Sequence, residues 1–253
     1  MRYFALNICV LFVFIISTFH ISANQDMDVK NIVKNVNELY RSKSSYARME
    51  MKIINPNWER TLALEVWTKG MEKTFILINS PKKEKGIATL RIEDEMWNYL
   101  PKVNKVMKIP PSMMMGSWMG SDFKNDDLVR EFSMVDDYHY KLIELEDSKP
   151  DQLYIEFIPK ENIPVVWGKI IAAIKRDKYI PVWYKYYDES DKLMRVMNFR
   201  EVKKMGDREI PVIMEVVPKN KEGHKTVVKY LEAEFNADVD DSIFTLRNLR
   251  KKR

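Results

Sequence analysis

Residues 100–130, LPKVNKVMKIPPSMMMGSWMGSDFKNDDLVR, decide how this chain is read. The stretch leaves a strand hairpin, passes Pro110-Pro111 and enters residues 112–119, which are too apolar for an ordinary surface helix. Met113, Met114, Met115, Trp118 and Met119 crowd that segment. Methionine is unbranched and polarizable, so clustered methionines suit a surface that repacks against partners of variable shape, whereas a fixed core favours branched side chains. A movable apolar lid helix is therefore expected here. The alternative is a plain buried helix, because apolar stripes at helical spacing usually mean core. Gly116 and Gly120 would permit close approach or bending, and Pro110-Pro111 would stiffen the entry. Asp126 and Asp127 are expected to cap a second short helix.

On both sides of this segment the apolar residues recur with period two. Ala47, Met49, Met51 and Ile53 alternate with Tyr46, Arg48, Glu50 and Lys52, which predicts a strand with one wet face. Further strand runs follow at 61–68, 73–79, 87–92, 95–100 and 105–109. After the methionine segment they resume at 138–146, 153–158, 169–176, 182–187, 193–203, 210–217 and 226–235. The connections are short and carry turn residues, among them Asn55-Pro56-Asn57, Lys69-Gly70, Glu93-Asp94, Met205-Gly206-Asp207 and 220–223. No crossover helices intervene, so neighbouring strands run antiparallel. One helix precedes them, with Val29, Ile32, Val33, Val36, Leu39 and Tyr40 on one stripe and Asp28 as its N-cap. The pattern predicts a mainly β (α+β) chain with one large antiparallel sheet that must curl or split. No break in composition divides residues 24–253 into two domains.

Residues 1–23 read as a cleaved signal peptide: Arg2 is the positive start, Phe4 to Ile16 the apolar run, and Ala23 the small residue at the expected cleavage site. The run is shorter than the ~20 residues that span a bilayer, and Asn7 interrupts it. Cys9, the only cysteine, lies inside the run, so the exported chain is expected to be soluble and free of thiols. Basic residues exceed acidic ones only mildly, 42 against 37, and are scattered among them, which argues against a nucleic-acid partner. The exception is the tail Arg247, Arg250, Lys251, Lys252 and Arg253, a solvated terminus that could touch an anionic membrane surface transiently.

Catalytic signatures are missing. His139 and His224 are the histidines beyond the leader, and no His-x-x-x-His or Glu-x-x-His spacing occurs, so no metal site is expected. Gly116-Ser117 and Gly120-Ser121 do not fit the G-x-S-x-G elbow of serine hydrolases. The seven glycines include no phosphate-cradling motif, and no cofactor is expected. Asp126-Asp127, Asp136-Asp137 and residues 238–241 lie beside helix starts or turns, where carboxylates cap backbone N–H groups. Trp183, Tyr184, Tyr186 and Tyr187 alternate between the faces of a strand and are read as sheet packing. The chain is not expected to be an enzyme.

The apparent leader, the single amphipathic helix, the join RSKSSY at 41–46, the meander and the stretch WNYLPKVNKVMKIPPSMMMGSWMGSDFKNDDLVRE at 97–131 together resemble the outer-membrane lipoprotein-sorting proteins of the LolA-like periplasmic carrier superfamily. The resemblance spans essentially the whole chain after the leader. It implies an incomplete antiparallel β-barrel whose open apolar face is covered by helices. It also implies a periplasmic carrier or chaperone that shelters the acyl chains of lipoproteins or lipids between inner and outer membranes. Inner-membrane transporters or export permeases would be its partners. At about 0.8 kcal/mol per buried CH₂, a chain of some 14 to 16 carbons gains more than ~10 kcal/mol on leaving water, so transit needs such shelter. Under this reading Met113, Met114, Met115, Trp118 and Met119 form the inner face of the lid. Met49, Met51, Trp67, Ile76, Ile78, Leu90, Trp97 and Tyr99 are candidates for the groove wall, although alternation does not say which face is concave. No motif selects a lid-fixing arginine from Arg48, Arg60 and Arg91. The other reading of the same fold is a periplasmic lipid- or lipoprotein-sensing accessory module of a membrane transporter or signalling protein.

Overall fold

The period-two segments form thirteen strands: β1 (Ser44–Asn55), β2 (Trp58–Lys69), β3 (Lys73–Ser80), β4 (Ala88–Ile92), β5 (Glu95–Leu100), β6 (Lys105–Lys108), β7 (Tyr138–Ile143), β8 (Gln152–Pro159), β9 (Lys169–Lys175), β10 (Pro181–Tyr187), β11 (Leu193–Met205), β12 (Arg208–Pro218) and β13 (Lys225–Phe235). The computed structural model describes residues 28–130, 134–161, 163 and 167–251. The expected signal peptide and its cleavage site after Ala23 lie outside the described residues.

All thirteen strands belong to one antiparallel sheet in the order β6-β5-β4-β3-β2-β1-β13-β12-β11-β10-β9-β8-β7. It is an incomplete barrel: β6 and β7 are its two edges and do not pair. The chain starts at the centre with β1, walks by hairpins to the β6 edge, reappears at the β7 edge and walks back until β13 pairs with β1. The connection from Ile109 to Asp137 must therefore join opposite edges. Thirteen strands ~4.8 Å apart would span almost 60 Å if flat, and this connection can reach roughly 95 Å when extended. It crosses the sheet rather than running along it, which is why the methionine segment lies where a cover would lie.

The two faces of the sheet have different covers. One carries an apolar core that runs from Met96 on β5 to Tyr138 on β7, taking in Met51, Leu64, Ile76, Val228, Met214, Met197, Tyr184 and Ile155. This inner face is roofed by α1 (Val29–Glu38), which buries Ile32, Val33 and Val36. Asp28 caps α1 as expected, its carboxylate accepting the Asn31 N–H at 3.3 Å. Tyr40, just past the helix, stacks on Tyr230 at 5.5 Å and donates its hydroxyl to the Pro211 carbonyl at 2.9 Å.

The outer face of β3–β5 is not wet. Phe75, Leu90 and Tyr99 are buried there beneath Ala237, Val239, Phe244 and Leu249 of the C-terminal segment, which includes α4 (Leu246–Leu249). Lys69 and Lys73 clamp this segment through Asp241, at 2.6 and 3.1 Å. Both lysines hold the Asp241 carboxyl below the usual carboxylate range, mainly by hydrogen bonding. A depressed folded value means that the clamp's contribution is complete above the unfolded pKa and fades as pH falls through the folded one. A carboxyl ¹³C titration should therefore show Asp241 ionised at pH values where free aspartate is half protonated, with that offset removed by Lys69→Ala plus Lys73→Ala.

Candidate functional site

The connection across the inner face is a strap tied to strand after strand. Trp118 donates its indole N–H to Thr89 on β4 at 3.1 Å. The Met119 carbonyl accepts from Arg60 on β2. Asp122 and Thr226 on β13 exchange two hydrogen bonds, at 2.8 and 2.9 Å. Asp127 makes a bidentate ion pair with Arg195 on β11, 2.6 Å at each contact. Ties at 118, 119, 122 and 127 thus meet β4, β2, β13 and β11, in the order in which those strands stand across the sheet.

The segment expected to be one lid helix is instead two single 3₁₀ turns, Pro111–Met113 and Trp118–Gly120, followed by α2 (Asn125–Arg130) and α3 (Met134–Asp137). Local chemistry explains the difference. Pro110 and Pro111 cannot donate N–H groups to a continuing helix. Gly116 is packed so that an added Cβ would meet the Met113 carbonyl oxygen at 2.9 Å, and Met119 and Gly120 both take positive φ, 54° and 73°. The loop is braced internally, with the Asn125 N–H bonded to the Gly116 carbonyl at 2.9 Å and the Asp126 N–H to the Met114 carbonyl at 3.0 Å. Asp127 fills the capping role expected of it: its carboxylate reaches back to the Lys124 N–H at 2.6 Å.

Between strap and sheet lies an apolar cavity of about 120 Å³. Its floor is Ala47, Met49 and Met51 of β1 with Leu64, Val66 and Ile76 of β2 and β3; Val228, Tyr230 and Met214 form the side toward β12 and β13. Trp118, Phe123 and Leu128 of the crossing connection close it from above. One end is polar. There Arg41, Ser45, Thr68 and Thr74 line it, all buried, with the Ser45 and Thr68 hydroxyls 2.5 Å apart and the Arg41 guanidinium donating to Thr74 at 3.2 Å.

The strap's two ends are held differently. On the β2 side the Arg60 guanidinium takes the Met119 carbonyl and pairs with Glu84 at 3.1 Å; Arg60 is about a quarter exposed. On the β11 side both partners are buried, and the Arg195 guanidinium lies 4.5 Å from the Trp167 ring centre and 4.1 Å from that of Tyr186. Of the three arginines left open by the sequence, Arg60 is the one that reaches the strap. Arg48 pairs with Glu232 on the surface, and Arg91 donates to the carbonyls of Glu93 and Met71.

A family model described as "Uncharacterized protein" matches residues 70–251. The chain belongs to that family. A search of curated proteins finds no match. Among solved structures it is similar to an outer membrane lipoprotein-sorting protein domain from Vibrio parahaemolyticus, with TM-score 0.77 and 20% identity over 88% of this chain and 98% of that one. A DUF1329 family protein from Desulfovibrio piger gives TM-score 0.80 and 22% identity over 87% and 97% of the two chains. A LolA superfamily protein from Nitrosomonas europaea gives 0.73 and 21% over 87% and 98%. The fold is LolA-like.

Within this LolA-like fold the residues singled out from the sequence divide by face. Met49, Met51 and Ile76 line the cavity, and Ile78 is buried in the same inner core. Trp67, Leu90, Trp97 and Tyr99 do not reach it. They pack on the outer face, where Trp67 and Leu90 each pair with Phe75 and Leu90 with Trp97. The inner face of β4 and β5 carries Thr89 and Asn98, hydrogen-bonded at 2.7 Å, beside the apolar Met96, while Leu90, Trp97 and Tyr99 alternate onto the opposite surface. Among the strap residues, Trp118 is buried and closes the cavity, and Met114 and Met119 pack on the inner core. Met113 and Met115 do not face inward: they are 53% and 52% exposed, because two separate turns do not present one helical stripe. Phe123, Leu128 and the polar end at Arg41 were not among the candidate site residues, although all three stand in the segments 41–46 and 97–131: nothing in their local pattern shows that they face a cavity. Tyr184 and Tyr186 are inner-core residues, while the Trp183 and Tyr187 rings lie beneath the ammonium groups of Lys185 and Lys169, at 4.4 and 4.8 Å. Among the described residues no cluster of histidine, cysteine or carboxylates could hold a metal ion, and no helix is long and apolar enough to cross a membrane.

Proposed function

We propose that this chain is a periplasmic carrier that shelters the acyl chains of lipoproteins or lipids in the strapped cavity during transfer from inner to outer membrane, taking cargo from an inner-membrane transporter or export permease. The observation that carries the reading is the cavity's composition: apolar along β1 and β2, hydroxyl- and guanidinium-lined at one end, and closed by Trp118. An acyl chain with a polar head has the same asymmetry. The cavity runs along β1 from Ser45 to Met51, about 20 Å at the usual strand rise. Its roof is an independent segment rather than part of the sheet, so an empty closed state and a filled open state can lie close in energy, which is what a carrier needs in order to release. Methionines at the roof and floor suit both states.

Titration of the purified protein with a fluorescent fatty acid should show saturable binding, with unlabelled palmitate displacing the probe. Native mass spectrometry should then find the acyl ligand bound one to one. Transfer of bound ligand to acceptor vesicles is the outcome a carrier gives and a lipid-sensing module does not. A protein that binds no acyl probe would overturn both.

A further inference from the structure

We propose that the end of the incomplete barrel bearing the β1–β2, β3–β4 and β5–β6 connections docks on an anionic lipid bilayer, with Trp58 and Val103 seated in the headgroup region. The inference deepens the carrier reading and rests on it. In a meander every second connection emerges at the same end, so these three, together with the β12–β13 turn, share one end. A Cβ added at Gly223 in the β12–β13 turn would meet the Pro56 ring at 3.0 Å, which places that turn against the β1–β2 turn. Trp58 is 45% exposed and Val103 65%, and they stand together. Both border one surface cleft with Lys83, Lys102 and the strap residue Met119.

Around this cleft lysines outnumber exposed acids; Glu59 at the same end is ion-paired with Lys52, and the exposed Glu189 and Asp191 stand on the β10–β11 turn, several strands away. Lys82, Lys83 and Lys85 of the β3–β4 connection and Lys102 and Lys105 beside β6 are all exposed, while the acid among them, Glu84, is buried against Arg60. The β12–β13 turn adds exposed Lys219 and Lys221 against Glu222. The same strands present the reverse at their other end, where Glu93, Asp94 and Glu95 are exposed at the β4–β5 turn. Lysine is depleted in protein–protein interfaces. Flexible, hydrated lysines around an exposed tryptophan instead match a membrane surface, where each cation near anionic lipid gains about 1 kcal/mol and indole favours the headgroup layer. The cavity's polar end at Arg41 and Thr74 lies toward the opposite end, near Gly70. An acyl chain with its head there would point its tail at the docking end, and cargo would enter and leave tail first beside Arg60 and Met119.

Flotation of the purified protein with vesicles of phosphatidylglycerol and phosphatidylcholine, against vesicles of phosphatidylcholine alone, tests the proposal. Binding is expected on the anionic vesicles only and should weaken with added salt. Lys83→Gln with Lys102→Gln should lower it about thirtyfold. Trp58→Ser with Val103→Ser should lower it about tenfold. The lysine pair is exposed and makes no contact with the strap's ties, so for that variant uptake of a fluorescent fatty acid without vesicles should stay at the wild-type level, whereas the Trp58 ring centre lies 5.3 Å from the Arg60 guanidinium and its variant is read by flotation alone. Uptake is thus a separate readout, and its absence in the wild type would sink the carrier reading instead. Docking at this end is overturned if the protein ignores anionic vesicles or if neither variant changes binding. It is equally overturned if binding disappears only when Arg250, Lys251, Lys252 and Arg253 are changed to Gln.

Discussion

Replacing Trp118 with alanine is expected to lower the stability of the empty protein by about 3–5 kcal/mol, and saturating fatty acid is expected to restore a large part of that loss. Trp118 is 3% exposed, closes the cavity from above and donates its indole N–H to Thr89, so truncation removes buried area and a hydrogen bond together. The space it vacates is continuous with the cavity floor of Met49, Met51 and Leu64. An acyl chain can fill that space, and a ligand at a hundred times its dissociation constant stabilises by about 2.7 kcal/mol. Urea denaturation of wild type and variant, each with and without palmitate, measures both terms. Ligand rescue that is no larger in the variant than in the wild type would mean that Trp118 and cargo do not share the cavity.

The second large effect is expected from Asp127→Asn. The Arg195 guanidinium is buried beneath the strap, bonded to both Asp127 oxygens and flanked by Trp167 and Tyr186. Amide in place of carboxylate removes the charge partner that bonds the buried guanidinium at two points, which costs about 3–5 kcal/mol and lowers Tm by roughly 6–20 °C in a protein of this size. Asp127 also bonds the Lys124 N–H, so α2 loses part of its N-terminal cap. Changing both members, Asp127→Leu with Arg195→Met, should be less damaging than Asp127→Asn, because replacing a whole buried pair by apolar side chains removes the desolvation cost of both charges. Thermal unfolding of the wild type and these two variants makes the comparison. A double variant no more stable than Asp127→Asn would show that the pair holds the strap through geometry that apolar packing cannot replace.

Arg60 and Arg195 hold the strap in different environments, and the difference predicts where it parts. A partly exposed guanidinium on a main-chain carbonyl exchanges with water readily, whereas a buried bidentate pair between aromatic rings does not. Opening should begin at Met119 and Gly120, beside the cleft that leads to Trp58 and Val103.

The strands were legible because their cause is local. Alternation at Ala47, Met49, Met51 and Ile53, and turn residues such as Asn55-Pro56-Asn57 and Glu93-Asp94, specify extended segments and reversals whatever the rest of the chain does. The same holds for α1, whose stripe and Asp28 cap are short-range features. Trp67, Leu90, Trp97 and Tyr99, candidates for the groove wall with the concave face left open, stand on the outer surface for the opposite reason. Period two separates two faces without naming either, and on β3–β5 the outer face is as apolar as the inner because Phe244 and Leu249, about 150 residues away in sequence, cover it.

For the strap, composition announced an apolar cover, but a helical stripe was the wrong geometry once Pro111, Gly116 and the left-handed Met119-Gly120 pair broke the helix. Which methionines turn inward then depended on ties to Thr89, Arg60, Thr226 and Arg195, residues on four different strands. Short-range periodicity and turn chemistry therefore suffice for the antiparallel meander, the capped helix and the presence of a cover. The inner face, the cavity with its polar end and the inward side chains arise only when β1 pairs with β13 and forces residues 109–137 across the sheet, because burial is a property of what lies opposite and not of what lies next in the chain.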